Sequence, residues 1–76
     1  MKSLRISVLI QAVGKEIWEI CQEIEGIDGI KNVKVVIGTF DVIAYAELNT
    51  ANDLRPFLDR IHRIKGITRT ETCIAI

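Results

Sequence analysis

The stretch Ile17-Trp18-Glu19-Ile20-Cys21-Gln22-Glu23-Ile24-Glu25-Gly26-Ile27-Asp28-Gly29-Ile30 is answered 37 residues later by Leu54-Arg55-Pro56-Phe57-Leu58-Asp59-Arg60-Ile61-His62-Arg63-Ile64-Lys65-Gly66-Ile67. No gap is needed. Ile17 meets Leu54, Ile20 meets Phe57, Cys21 meets Leu58, Ile24 meets Ile61, Ile27 meets Ile64 and Gly29 meets Gly66. In each half the apolar residues recur at i, i+3, i+4 and i+7, the stripe of a helix lying on a core. Each half therefore reads as one strand-helix-strand unit, and two units make one small sandwich.

Outward from the helices the period changes from helical to two. Leu4, Ile6, Val8 and Ile10 alternate with Arg5, Ser7, Leu9 and Gln11, which predicts a first strand with one cleanly apolar face. Gly14 ends that run, and the first helix is expected over Lys15 to Glu25. Val33, Val35 and Ile37 mark a second strand that stops at Gly38. The third, Asp41 to Leu48, has Val42, Ala44, Ala46 and Leu48 on one side and Ile43 and Tyr45 on the other, so it belongs in the middle of the sheet. Asn49 to Asp53 supplies turn and N-cap chemistry, and Pro56 falls in the first turn of the second helix, where a missing N–H costs least. The last strand is expected over Ile67 to Ile76. The order is β-α-β-β-α-β. With right-handed crossovers it gives an α+β, ferredoxin-like sandwich: a four-stranded antiparallel sheet with both helices on one face.

The 76 residues form a single domain, 1–76, and a chain this short buries only roughly 60–65% of its unfolded surface. Yet 49% of its residues are hydrophobic, more than two helices on one sheet face require. The surplus is expected on the open face, to which Leu9, Val36, Ala44 or Tyr45, and Cys73 or Ile74 contribute, and a second copy is expected to cover it as a sheet-to-sheet dimer. Ten basic and ten acidic residues leave zero net charge, and no basic run exceeds two, which argues against nucleic-acid binding by this chain alone. Ile6 to Ile10 is too short to span a bilayer, so no membrane partner is expected, and the lack of a signal-peptide pattern makes the cytoplasm the expected location. Cys21 and Cys73 have no C-x-x-C spacing. Both read as reduced, buried small hydrophobes, with no metal site and no cofactor.

The halves differ most in the segment that joins them, Gly38-Thr39-Phe40-Asp41. One reading is a tight hairpin in which Gly supplies an unusual φ and Asp accepts backbone N–H bonds. The other uses the same groups for a zwitterion: the Asp41 carboxylate accepts from an α-ammonium, backbone N–H groups beside Gly38 donate to an α-carboxylate, and Phe40 closes the pocket.

The stretch Val35-Val36-Ile37-Gly38-Thr39-Phe40-Asp41-Val42-Ile43-Ala44 resembles the G-x-x-D hairpin of the effector domain (the regulation of amino-acid metabolism domain) of the Lrp/AsnC transcription regulators. Ile67-Thr68-Arg69-Thr70-Glu71-Thr72-Cys73-Ile74 resembles that family's closing strand. Asp53-Leu54-Arg55-Pro56-Phe57-Leu58 is similar to its second helix, and Val13-Gly14-Lys15-Glu16 to the Pro-Gly-Lys-Glu that often opens the first, with Val13 in place of the Pro. The resemblance covers the whole chain. It implies a non-catalytic domain that binds a free amino acid, pairs through its sheets, and assembles further into a ring such as an octamer, with effector bound where dimers meet. Carried over by position, Gly38 and Asp41 are the ligand-binding candidates, with Thr39 and Phe40 beside them. Thr70 and Thr72 are candidates from the last strand, with an equal reading as β-branched strand residues. The family's regulators carry a winged helix-turn-helix before this domain, and here the first strand begins almost at Met1. The chain thus resembles the stand-alone members, which do not read DNA themselves, and a full-length regulator becomes a possible partner.

Three other classes remain in competition. The amino-acid-binding ACT domain shares this strand order but places its ligand at a turn between first strand and first helix, which is Gly14 here. A small ferredoxin-like dimeric enzyme has the same fold, although no pair of catalytic groups at a suitable spacing is visible. An RNA-binding sheet would need aromatics on its central strands, and only Tyr45 qualifies. His62 falls with Arg55 and Asp59 on the polar side of the second helix and reads as solvated surface. Trp18 lies off the apolar stripe, either packing over a strand edge or anchoring a subunit contact. Lys34 and Glu71 occupy equivalent positions in the two halves with opposite charge.

Overall fold

Alternating side chains become strands and the 3.6-period runs become helices in the computed structural model, which describes residues 3–76. β1 (Leu4–Ala12), α1 (Ile17–Glu25), β2 (Ile30–Val35), β3 (Val42–Leu48), α2 (Leu54–His62) and β4 (Ile67–Ile74) follow in that order, with a single 3-10 turn at Ala51–Asp53 leading into α2. The sheet runs β2-β3-β1-β4, every neighbouring pair antiparallel. β3 is internal, as its two apolar faces require.

Burial selects the faces. Ile6, Val8 and Ile10 of β1 and Val42, Ala44, Ala46 and Leu48 of β3 are buried beneath Ile20, Cys21 and Ile24 of α1 and Phe57 and Ile61 of α2. No polar or charged side chain is buried among the described residues, so the core rests on apolar burial alone, at about 25 cal/mol per Å² removed from water. α1 starts two residues later than its periodicity suggests. Glu16, at its N-cap, is extended and makes no side-chain cap, so Lys15 and Glu16 stay outside. At α2 the Thr50 backbone N–H donates to the Asp53 carboxylate at 3.2 Å, the turn chemistry expected of that segment.

The duplication extends to backbone detail. Gly29 and Gly66 follow the two helices with φ of 100° and 102°. Their carbonyls accept from Glu47 N–H at 2.9 Å and Val13 N–H at 2.8 Å, clasping each helix-strand turn to a neighbouring strand. A Cβ on Gly29 would meet Leu48 Cδ2 at 2.8 Å, and one on Gly66 would meet the Val13 carbonyl oxygen at 3.0 Å. Both the conformation and the closeness demand glycine.

Strand register resolves the open face. Lys34, Ile43, Leu9 and Glu71 form one row across it, and Asn32, Tyr45, Ser7 and Cys73 the next. Tyr45 and Cys73 therefore point away from the helices, and Ala44 and Ile74 toward them. The open face is less apolar than composition suggests: an aliphatic and aromatic centre of Leu9, Ile43 and Tyr45 is flanked by charges on the outer strands. Part of the surplus hydrophobicity lies instead at the periphery, where Trp18 is 65% exposed and Ile37 fully so.

Candidate functional site

β2 and β3 are joined by Val36 to Asp41, and the Val36 N–H donates to the Asp41 carbonyl at 2.9 Å to close the hairpin. Gly38 has φ 154° with open space around it, and Gly38 and Thr39 are exposed while Phe40 and Asp41 are half-buried. The hairpin is not free-standing. Asp41 N–H donates to the Ile10 carbonyl at 2.8 Å, and Asp41 Oδ2 accepts from Ala12 N–H at 2.9 Å. Gln11 Nε2 donates to the Thr39 carbonyl at 3.2 Å. The end of β1 thus holds the hairpin at three points, all through residues 10–12.

From the other side β4 reaches the same place. Gln11 is opposite Arg69 in register, and the Arg69 guanidinium lies 5.4 Å from the centre of the Phe40 ring, within cation–π range. The Thr68 hydroxyl donates to the Gln11 carbonyl at 3.2 Å. A carboxylate, an arginine and an aromatic ring are thereby gathered at one corner of the sheet. One Asp41 oxygen is committed to Ala12, so the hairpin reading and the zwitterion reading share this carboxylate: one oxygen ties the backbone, and the second is open to a donor from outside.

Gly38, Thr39, Phe40 and Asp41 are brought together. Thr70 and Thr72 are not brought to them. Their partners across the ladder, Ile10 and Val8, are core residues, so both threonines lie on the helix-covered side of β4, opposite to Arg69 and Glu71. The Thr70 hydroxyl is 2.7 Å from His62 Nε2, which also gives His62, although exposed, a partner rather than a purely solvated position. Arg69 is the residue at this corner that the sequence alone does not single out. Its signal was available only through pairing: once Gln11 and Arg69 are opposite one another, the side chain must emerge on the open face beside the hairpin.

Another cleft, of about 330 Å³, is lined by Val13, Gly14, Lys15, Lys65 and Gly66, at the turn where an ACT-like ligand would lie. Lys15 Nζ is tied there to Glu23 Oε2 at 2.6 Å, and that bond, with the Glu23 and Glu19 charges, raises the ammonium pKa above its ordinary value. Among the described residues no group of three or more His, Cys, Asp or Glu side chains could hold a metal ion. No helix among them is long and apolar enough to cross a membrane.

Against known structures, the chain is similar to TTHA0845 from Thermus thermophilus, at 26% identity and a TM-score of 0.89, covering 96% of this chain and 92% of that one. It is similar at 27% identity, with a TM-score of 0.88, to the hypothetical protein PHS023 from Pyrococcus horikoshii, covering 96% and 89%. The fold recurs, at 20% identity and a TM-score of 0.82, in a feast or famine regulatory protein from M. tuberculosis complexed with L-methionine; there the match covers 96% of this chain but 50% of the regulator. No curated protein matches the sequence. The family described as the Lrp/AsnC ligand binding domain matches residues 6–76, nearly the whole chain. The chain belongs to the Lrp/AsnC ligand-binding domain family.

Proposed function

We propose that this domain binds a free α-amino acid at the Gly38–Asp41 corner, without catalysis, and that binding is coupled to assembly of copies of the chain. The observation that carries this reading is the convergence on one corner of Asp41, Arg69 and Phe40, with Gly38 and Thr39 exposed beside them. The free Asp41 oxygen accepts from the α-ammonium, Arg69 and the backbone N–H groups of the hairpin donate to the α-carboxylate, and Phe40 covers the apolar part. A small ligand needs a concave site to bury most of its surface. Gly38 and Thr39 lie exposed on one side of the hairpin, so the second wall comes from a neighbouring copy, and occupancy and assembly become linked equilibria.

The first assembly step is pairing through the open sheet face, whose Leu9–Ile43–Tyr45 centre a second copy covers; higher rings then join dimers near the hairpins. Action on transcription would run through co-assembly with a full-length regulator of the same family. The deciding experiment is a thermal-shift series over the twenty amino acids, read together with light-scattering mass. A ligand at 100 times its Kd stabilises by about 2.7 kcal/mol. A flat response from a monomeric chain would sink the proposal. The cleft at Gly14 favours an ACT-like site as the second reading, and a ligand whose effect survives loss of the Asp41 charge but not crowding at Gly14 would select it.

A further inference from the structure

Zero net charge conceals a division of charge between the two helices. From Lys15 to Asp28 five acidic residues stand against one basic, and from Leu54 to Lys65 four basic against one acidic. The division does not serve helix stability. The backbone dipole favours an anion at the start of a helix and a cation at its end. Yet Glu25 is the last residue of α1, whose final turn has no basic residue, and Arg55 lies in the first turn of α2, which has no acidic one. Pairing within the chain does not account for it either. Arg55, Arg60 and Arg63, all exposed, line an open groove of about 530 Å³ with Asn52, Pro56 and Asp59. Asp59 is four residues from both Arg55 and Arg63, the spacing of intrahelical pairs, but the one ion pair among the described residues joins Lys15 to Glu23. Three guanidiniums on one side of α2 thus have no carboxylate partner among the described residues.

We propose that this face of α2 is a docking surface for an acidic segment of another protein, whose Asp or Glu side chains engage Arg55, Arg60 and Arg63. A guanidinium presents paired N–H donors that match a carboxylate, and the bonds so formed are charge-assisted. The surroundings of the groove narrow the class of partner. Glu23 and Asp28 line the adjoining cleft together with Arg60, so the acidic helix lies next to the basic one. A broad polyanion, such as a nucleic-acid duplex or an anionic membrane, would lie across both helices and be repelled by α1. Asp59 also interrupts the row of cations that a continuous phosphate backbone would follow. Phe57, the one Phe, Tyr or Trp of α2, is buried and offers no ring on which a base could stack. A slender acidic segment laid along α2, whose nine residues span about 14 Å, meets the arginines and avoids α1. Arg69 emerges on the open side of the sheet and α2 covers the other, so docking on α2 and amino-acid binding at the hairpin fail separately.

A fluorescein-labelled decaglutamate peptide, titrated with the whole chain at low ionic strength and followed by anisotropy, tests the surface. Binding is expected, and it weakens as added salt screens the exposed charges. Arg55→Gln and Arg63→Gln combined in one chain are expected to weaken it roughly tenfold or more. Lys31→Gln and Lys34→Gln combined, which remove the same charge from β2, are expected to leave it within about twofold. All four residues are exposed, so both variants keep the fold. Failure of decaglutamate to bind overturns the proposal. Equal weakening by the two double variants overturns it too, because net charge alone would then be acting. Tighter binding of a ten-nucleotide oligothymidylate than of decaglutamate would make the surface one for nucleic acid and has the same consequence. Self-association of the wild type that is lost both at high salt and in the arginine variant would seat the acidic α1 of a second copy in the groove, and it likewise removes the other protein.

Discussion

Asp41 is tied to Ala12 by its side chain, Oδ2 accepting the Ala12 N–H at 2.9 Å, and to Ile10, two residues earlier in β1, by its own N–H, which donates to the Ile10 carbonyl at 2.8 Å. The carboxylate is therefore both a brace for the end of β1 and the only acid among the four hairpin candidates. Two substitutions separate the roles. Asp41→Ala leaves a half-buried N–H without its partner and is expected to cost about 1–3 kcal/mol by urea denaturation. Asp41→Asn keeps an acceptor oxygen toward Ala12 and is expected to remain within about 1 kcal/mol of the wild type, yet to lose the thermal shift with the effector, since the neutral amide no longer attracts an α-ammonium. Retained ligand response in Asp41→Asn would remove the carboxylate from the site.

Much of this was legible before any coordinates. The 37-residue offset located both helices and the sandwich, because a stripe of Ile and Leu at helical spacing has few other ways to be buried. Faces were harder to read. Ile43 and Val42 are equally apolar, so the alternation in β3 could not say which side the helices cover, and Cys73 and Ile74 in β4 posed the same ambiguity. Only pairing with Ile6, Val8 and Ile10 decided it. Thr70 and Thr72 were plausible beside the hairpin for the same reason that Arg69 was overlooked: adjacent residues in a strand point to opposite faces, and a slip of one exchanges the sets.

Gly66 provides a stability prediction that Gly38 sharpens. An alanine at Gly66 must adopt φ near 102° and place its Cβ 3.0 Å from the Val13 carbonyl oxygen, whereas nothing lies within 4 Å of a Cβ at Gly38. Gly66→Ala is expected to lose roughly 2–4 kcal/mol, combining backbone strain with a clash against main chain that cannot swing away. Gly38→Ala, with strain alone, should lose about 1–2 kcal/mol. Equal midpoints for the two variants in denaturant would contradict the close approach.

Thr70→Val asks whether the last-strand threonine is structural. The substitution keeps the β-branched shape and removes the hydroxyl that meets His62 Nε2 at 2.7 Å. The expected cost is about 0.5–1.5 kcal/mol, the usual net worth of one hydrogen bond. The amino-acid response should be unchanged, because the hydroxyl lies on the far side of the sheet from Arg69. An effector Kd weakened tenfold in Thr70→Val would place this residue in the site after all.

The two thiols should behave as different chemical species. Cys21 is buried in the core, and burial, reinforced by the nearby Glu25 charge, raises its pKa above the ordinary 9.0. Cys73, expected to be buried like Cys21, is instead exposed, because its register opposite Ser7 turns it to the open sheet face that no helix covers. Under a thiol-disulfide reagent at neutral pH, Cys73 is expected to react in the folded monomer and Cys21 only at the rate of unfolding, since the thiolate is the attacking form. The raised value also fixes a sign for stability. From pH 9.0 upward the unfolded chain releases the Cys21 proton while the folded chain retains it, so stability falls by up to about 1.4 kcal/mol per pH unit until the folded thiol titrates; below 9.0 this group contributes no slope. The Lys15 ammonium, ordinarily half-titrated at 10.5, already loses protons within the last pH unit below that value, so the interval from 9.0 to 10.5 reports Cys21 as the difference from a chain that lacks the thiol. Denaturation midpoints of the wild type should decline across that interval and those of Cys21→Ala should decline less. Parallel profiles would mean that the thiol is as ionisable in the folded chain as in the unfolded one, and that the core beneath α1 is open to water.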